Sequence, residues 1–271
     1  MNKEKVLVLD IDGTLTNSKK EISPATREGI QEVIRQGHKV ILASGRPTPG
    51  ITPLAEMLNL ADYGSYILAF NGARIINCRT GQIVYDKTVP PSAIPEVYNI
   101  VKEFQDVDVI TYTDKEIISG IKSNEYDEIE AMITGMPIVE VENFVEYIDF
   151  PINKFLVTGK PEVLDEVAVV LKRRFNSFLN VYKSQPFFLE VVPQNIDKAN
   201  SLQKLLNSIG LTADQMICCG DGMNDLSMIE YAGLGVAMEN AEPLVKEKAD
   251  FITKSNDDDG VLYVINQFMR D

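Results

Sequence analysis

Four short, uninterrupted runs of apolar residues constrain the fold of this chain more than any other feature. They occupy positions 6–9, 40–43, 216–219 and 235–238. Runs of this length without polar alternation are typical of strands buried on both faces of a parallel sheet. Between the first two runs, Ser23 is suited to cap a helix, Pro24 to begin it and Gly37 to end it. We therefore predict a doubly wound, Rossmann-like α/β core.

The central part of the chain has a different pattern. Its strand-like segments contain more Tyr, Phe and alternating polar residues, which is typical of antiparallel strands with one solvated face. We predict an inserted α+β domain over residues 84–192, and a core assembled from residues 1–83 and 193–271. A core helix from about residue 197 to residue 208 follows the insertion. The acidic run at 257–259 is expected to be a solvated loop that caps the last helix.

Charge and composition exclude several classes of function. The 26 Lys and Arg against 40 Asp and Glu give a net charge of -14, which argues against nucleic-acid binding because phosphate contacts need clustered cations. No apolar run approaches the roughly 18 residues of a membrane span, and the cysteine pattern fits a reducing cytoplasm. We expect a cytoplasmic monomer or weak homodimer without membrane partners. The one histidine, His38, lies in a predicted turn, where we expect it to be exposed.

Polar residues follow three of the predicted strands: DIDGT at 10–14, SGR at 44–46 and GDGMND at 220–225. Because ligands of open α/β sheets bind outside the carboxyl ends of the strands, these residues are expected to converge. Two like charges about 4 Å apart cost about 4 kcal/mol at an effective dielectric near 20, so the clustered aspartates need a cation. Oxygen ligands without His or Cys favour Mg²⁺. Lys198, at the start of the returning helix, can hold an anion.

The three strings and Lys198 form four motifs in the order DIDGT, SG, lysine and GDGMND. With these motifs, the chain resembles the haloacid dehalogenase-like phosphatases over its whole length. The insertion resembles the type C2B cap of that superfamily. The strings FNGA at 70–73 and NDDDGV at 256–261 resemble its Cof-type subgroup. One departure is Ala199, which stands where many relatives have glycine after the lysine. We expect it to change little, because the lysine side chain precedes it.

The resemblance implies a role for each site residue. Asp10 is expected to be the nucleophile that forms an aspartyl-phosphate. Asp12 is expected to be the general acid and then the general base, with a pKa raised by neighbouring carboxylates. The implied ligands of Mg²⁺ are Asp10, the Asp12 carbonyl and Asp221. The implied phosphoryl-binding groups are the amides of Ile11 and Gly45 and the side chains of Ser44, Lys198 and Asn224.

Two further residues have supporting roles in this interpretation. Asp225 is expected to orient Lys198 or a metal-bound water. Two interpretations of Arg46 stay open: a contact with the substrate, or a surface salt bridge.

Three functions stay open. The leading one is a Mg²⁺-dependent phosphatase of small phosphorylated metabolites, sugar phosphates above all, since a cap excludes macromolecules and bulk water. The second is a phosphotransferase such as a hexose-phosphate mutase, which returns the phosphoryl group to sugar instead of water. The third is a metabolite-binding regulatory protein with a vestigial site, against which the full set of expected catalytic residues argues. Specificity is expected in cap segments 112–120 and 182–190.

Overall fold

A computed structural model describes residues 4–270 and defines the following elements. In chain order, the strands are β1 (Val6–Leu9), β2 (Lys39–Ala43), β3 (Tyr66–Ala69), β4 (Arg74–Asn77), β5 (Ile83–Asp86), β6 (Val107–Tyr112), β7 (Ile117–Ser119), β8 (Ile138–Glu140), β9 (Phe155–Gly159), β10 (Leu179–Gln185), β11 (Phe188–Pro193), β12 (Met216–Gly220), β13 (Leu234–Ala237) and β14 (Phe251–Ile252). The α-helices are α1 (Pro24–Arg35), α2 (Thr52–Met57), α3 (Ala93–Val101), α4 (Glu125–Thr134), α5 (Phe144–Tyr147), α6 (Pro161–Phe175), α7 (Lys198–Ile209), α8 (Leu226–Tyr231), α9 (Pro243–Lys248) and α10 (Gly260–Phe268).

These elements form two compact units. The first runs to residue 46, resumes over residues 51–85 and takes up the chain again from residue 197. The second comprises residues 47–50 and 86–196. Each unit has a hydrophobic cluster of its own, which includes Leu205 in the first and Phe155 in the second.

The first unit is built on an eight-stranded sheet with the order β14-β13-β12-β1-β2-β3-β4-β5. Its neighbours from β14 to β3 are parallel, and β4 runs antiparallel to β3. Val6 and Val8 pack in one cluster with Leu205 of α7. Leu7 and Leu9 alternate to the other face. Outside that cluster, α1 packs on β2 and α10. The predicted α/β core is confirmed.

Local sequence signals set the N-terminal ends of helices α1 and α7. At the start of α1, the Ser23 hydroxyl accepts a hydrogen bond from the Thr26 amide at 3.0 Å. At the start of α7, the Asp197 carboxylate accepts one from the Asn200 amide at 2.8 Å. Such caps satisfy amides that lack partners within the helix. The cap at Asp197 fixes Lys198 as the first residue of α7.

The second unit contains a six-stranded sheet with the order β10-β11-β9-β6-β7-β8. All of its described pairings are antiparallel except β7 with β8. The expected solvated face is wrong for β6, β9 and β11, which are buried along their whole length. Polar residues on these strands and at their ends are instead paired with one another or with α4, as in the Lys154–Glu190 ion pair at 3.1 Å and the Thr158–Asp127 hydrogen bond at 2.7 Å.

Two other expectations concern the first unit, of which one is wrong and one holds in part. His38 is buried and not exposed, and its Nδ1 accepts a hydrogen bond from the Lys5 amide at 3.2 Å. In the acidic run at 257–259, Asp257 and Asp258 are exposed as expected and Asp259 occupies the N-cap position of α10, but its side chain makes no capping hydrogen bond there. Its carboxylate accepts hydrogen bonds from the hydroxyls of Ser23 and Thr26 on α1 instead. Within residues 4–270, no helix combines the length and apolarity that a membrane span requires.

Candidate active site

The carboxyl ends of three adjacent strands carry the polar motifs. In the sheet, β1 lies between β12 and β2, so the residues after these strands meet at one edge. The Asp10 amide donates to the Cys219 carbonyl at 3.1 Å, which extends the β1–β12 pairing by one residue. One carboxylate oxygen from each of Asp10, Asp221 and Asp225 lies within 4.8 Å of the others. Aspartates more than 200 residues apart in sequence are therefore neighbours.

Lys198 is the cation at the centre of this cluster. Its side chain is 0% exposed, and its Nζ lies 2.6 Å from Asp10 Oδ1, 2.6 Å from Asp225 Oδ1 and 2.7 Å from the Ala43 carbonyl. Three acceptors match the three donors of an ammonium group. Burial opposes the charged form, but the charges of Asp10 and Asp225 raise the pKa of Lys198 above its ordinary value. The side chain is a fixed positive charge.

The three aspartates carry more negative charge than Lys198 balances, and a divalent cation could balance the rest. Burial, and then the charge of Asp225, raise the pKa of Asp10 well above its ordinary value, although Lys198 opposes this. Asp225 is fully engaged, since its second oxygen accepts the amides of Asp221 and Gly222, each at 3.0 Å. Thr14 donates to Asp221 Oδ1 at 2.9 Å. Asp10 and Asp221 are thus the carboxylates suited to a hard ion such as Mg²⁺.

Asp12 lies in a cationic environment and not against the other aspartates. Its Oδ2 accepts from Arg46 Nε at 2.7 Å, and its Oδ1 lies 2.6 Å from a terminal Arg46 nitrogen and 2.7 Å from Lys20 Nζ. Burial favours the neutral acid, but the hydrogen bonds and charges of Arg46 and Lys20 outweigh it and lower the pKa of Asp12. The expectation of a raised pKa is wrong, because the nearest charges are positive.

Arg46 forms an ion pair with Asp12, and the contact with substrate that was considered for it stays a prediction. Its guanidinium is bidentate on Asp12, and its side chain is only 12% exposed, so the pair is not a surface salt bridge. Bidentate pairs fix orientation as well as charge. Arg46 therefore holds the Asp12 carboxylate in one orientation.

Three of the residues expected to hold a phosphoryl group, Ser44, Gly45 and Asn224, lie against Asn71. The Asn71 amide donates to the Ser44 carbonyl at 2.9 Å, and its Oδ1 accepts from Asn224 Nδ2 at 3.1 Å. Its side chain also lies against Gly45. Ile11 is fully buried, and its carbonyl accepts from the amide and the hydroxyl of Thr16, both at 2.9 Å.

Three contributors have no role in the sequence interpretation: Thr14, Lys20 and Asn71. Thr14 lies within DIDGT and Asn71 within FNGA, so both are in recognised strings, but nothing in a string specifies which side chain they contact. Lys20 carries no sequence signal. It reaches Asp12 because a tight turn at residues 17–21 places it there, with Lys20 itself at a φ of 63°.

Comparison with known proteins gives consistent matches. The sequence profile of the haloacid dehalogenase-like hydrolases matches residues 7–265. A solved haloacid dehalogenase-like hydrolase from Bacteroides thetaiotaomicron is 44% identical, with a TM-score of 0.95 over 98% of this chain and 99% of that one. The Bacillus subtilis (strain 168) protein YxeH is 31% identical over 98% of each chain. The 5-amino-6-(5-phospho-D-ribitylamino)uracil phosphatase YcsE of the same organism is 29% identical over 98% of this chain and 96% of its own.

Proposed function

Because the chain belongs to the haloacid dehalogenase-like hydrolases and is a phosphatase-type enzyme of that family, we propose that it hydrolyses small phosphorylated metabolites, sugar phosphates above all, with Mg²⁺ and through an aspartyl-phosphate. The observation that carries the proposal is the buried arrangement of Lys198 between Asp10 and Asp225, with Asp221 beside them. A nucleophile, an anion-binding cation and a second acidic ligand meet at one point. This combination suits phosphoryl transfer, where positioning and charge stabilisation supply most of the catalysis.

Asp10 is the proposed nucleophile. One of its oxygens attacks phosphorus, the bond to the leaving oxygen breaks, and the phosphoryl group stays on the carboxylate until water displaces it. Asp10, the Asp12 carbonyl and Asp221 would hold Mg²⁺. When bound, the ion would neutralise negative charge on the phosphoryl group. The proposed contacts to the phosphoryl oxygens are the amides of Ile11 and Gly45 and the side chains of Ser44, Asn224 and Lys198, with Lys198 exchanging one of its three present acceptors for the phosphoryl group.

Asp12 is the proposed general acid and base. In this structure its carboxylate is held by Arg46 and Lys20, which lower its pKa and so favour the ionised form that a base needs in order to take a proton from water. To act as the acid it has to take up a proton, and the two cations disfavour that form. We propose that Asp12 exchanges these partners for the leaving oxygen during the first half-reaction.

The remaining proposals concern the setting of the enzyme. We assign the inserted unit as the cap domain. YcsE, whose name gives it a small phosphorylated substrate, supports a metabolite of similar chemical class. We propose a cytoplasmic monomer or weak homodimer that binds neither nucleic acid nor membrane, consistent with the net charge of -14.

The test is hydrolysis of an aryl phosphate with and without Mg²⁺. Wild type is expected to turn over only with the ion, and Asp10→Asn is expected to lose activity while keeping its melting temperature within about 3 °C. Asp149→Asn, an exposed position in the second unit, serves as the matched control. Undiminished turnover by Asp10→Asn would exclude the covalent mechanism. A panel of phosphorylated metabolites then identifies substrates, and isomer formation in the presence of a sugar bisphosphate would indicate a mutase instead.

A further inference from the structure

Two loops near the end of the chain bind the segment that follows β1. Asn240 Nδ2 donates to the Gly13 carbonyl at 2.8 Å, and Asn256 Nδ2 donates to the Thr16 carbonyl at 2.9 Å. Asp257 Oδ1 accepts the Ser18 amide at 2.8 Å. The two loops are themselves joined, since the Asn256 amide donates to Asn240 Oδ1 at 3.0 Å. Side chains from positions 240–257 therefore bond the backbone of residues 13–18.

The segment they bind ends in the turn that carries Lys20. Asn17 Oδ1 accepts the amides of Lys19 and Glu21, each at 3.0 Å, which closes the turn. Lys20 then lies 2.7 Å from Asp12, although its side chain is 59% exposed. An exposed ion pair contributes little by itself, typically about 0–1 kcal/mol. The position of Lys20 must therefore be set by the backbone of the turn, and Asp257 holds that backbone at Ser18.

A second anchor lies just beyond the turn. The Asp259 carboxylate accepts hydrogen bonds from the hydroxyls of Ser23 and Thr26 at the start of α1. The segment from Asp12 to α1 is thus held at its beginning, its middle and its end by residues more than 200 positions away. All of these contacts are directional hydrogen bonds, so they fix the path of the segment as well as adding stability.

We propose that Asn240, Asn256 and Asp257 are positioning residues for Asp12. They hold the backbone after β1 and the Lys20 turn so that the Asp12 carboxylate is presented in one orientation. The inference rests on the proposed function, in which Asp12 transfers the proton. A displacement of about 1 Å in such a group can cost as much as 100-fold in rate, so loss of one anchor should reduce kcat while substrate binding persists.

The first test is a set of substitutions at Asp257 assayed with an aryl phosphate and saturating Mg²⁺. Asp257→Ala is expected to lower kcat about tenfold and to change KM less than about twofold. Asp257→Asn keeps an oxygen that can accept the Ser18 amide and should restore most of the rate. Asp258→Ala is the matched control, because that carboxylate accepts from Ser255 of its own loop at 2.6 Å. Equal kcat in wild type and Asp257→Ala would overturn the inference.

A double-mutant cycle separates this role from general stabilisation. If Asp257 acts through the Lys20 turn, then Asp257→Ala should lower kcat less than about twofold in a Lys20→Met background. If the double variant loses kcat by the product of the two single losses, Asp257 does not act through the Lys20 turn. Asn240→Ala and Asn256→Ala should likewise reduce kcat more than they change KM.

Hydrogen exchange provides a readout that does not depend on turnover. Asp257→Ala is expected to speed exchange of amides 13–21 and to leave β12 unchanged, whereas Asp258→Ala should alter neither. Unchanged exchange at 13–21 would contradict the inference even in an active enzyme. If wild type hydrolyses no phosphate ester but exchange responds as expected, the proposed function fails while the anchoring of the segment stands.

Discussion

Gly13 is the residue at which backbone conformation and the proposed cation site meet. Its φ is +83°, and a Cβ at this position would overlap the Asp221 carboxylate. Gly13→Ala must therefore displace a proposed Mg²⁺ ligand in addition to straining the backbone. We expect at least a tenfold rise, about 1.4 kcal/mol, in the Mg²⁺ concentration that gives half-maximal hydrolysis. A Mg²⁺ titration of aryl phosphate hydrolysis measures it.

Gly37 provides the control for this substitution. Its φ is +88°, and no atom lies within 4 Å of the position that a Cβ would occupy. Gly37→Ala has the same left-handed strain, about 1–2 kcal/mol, without the contact to Asp221. It should lower stability and leave the Mg²⁺ dependence unchanged. The same Mg²⁺ shift in both variants would show that strain alone is responsible.

Asn71 offers a second test at this scale. It joins Ser44 and Asn224, and its backbone is left-handed with a φ of 54°. Asn71→Ala should leave Asn224 without its partner and raise KM for an aryl phosphate about threefold to tenfold, by loss of a hydrogen bond of about 1 kcal/mol. Asn59, exposed and also left-handed with a φ of 57°, is the control. A similar rise in KM for Asn59→Ala would remove the specific role of Asn71.

The motif residues were predictable to different degrees. Asp10, Ser44 and Asp221 follow buried strands, and parallel strands bring such ends together, so their convergence could be inferred. The environment of Asp12 could not, because it depends on Lys20 and Arg46, whose side-chain directions no spacing encodes. His38 shows the same limit: a position between a helix and a strand is usually exposed, but this side chain is buried and bonded to the Lys5 amide.

At the scale of elements, helix caps were the most informative local signal. Ser23, Pro24 and Gly37 predict the bounds of α1 to within about two residues, and the helix predicted from about residue 197 to residue 208 matches α7. The three strands β3, β4 and β5 were not predicted, although β3 is a run of four buried residues like β1. The solvated face expected in the insertion failed because its polar residues pair internally. An alternating pattern shows which residues of a strand are polar, but it does not show whether another side chain pairs with them and buries them.

Helix α4 and the sheet of the second unit are joined by an acidic pair. Burial, and then the charge of Asp108, raise the pKa of Asp127 to about 7. The folded state therefore binds a proton that the unfolded state releases between about pH 4 and pH 7, so the free energy of unfolding falls as pH rises through that window. The loss is on the order of 4 kcal/mol, since the pKa rises by about three units and each unit corresponds to about 1.4 kcal/mol. Chemical denaturation at a series of pH values measures it.

Asp127→Asn should remove most of this pH dependence. Glu128→Gln, an exposed neighbour on the same helix, should keep the wild-type slope. Curves for wild type and Asp127→Asn that run parallel from pH 4 to pH 7 would contradict the assignment of the proton to this pair.

For the whole molecule, the division into two units predicts that their stabilities respond separately to core substitutions. Phe155 and Leu205 are each at most 2% exposed, and they belong to different hydrophobic clusters. Truncation of either to alanine should cost about 2–5 kcal/mol from lost transfer energy and the cavity left behind. Because the two clusters share no residue, each cost should fall mainly on the unit that contains the substitution.

Hydrogen exchange resolved by peptide distinguishes local from global loss. Phe155→Ala should speed exchange in β6, β9 and β11 and leave β1 and β12 protected, whereas Leu205→Ala should do the reverse. The two variants control for each other, since both remove a large buried side chain. If either accelerates exchange equally in both sets of strands, the chain unfolds as one cooperative body. The insertion could then not be treated as a separately stabilised cap.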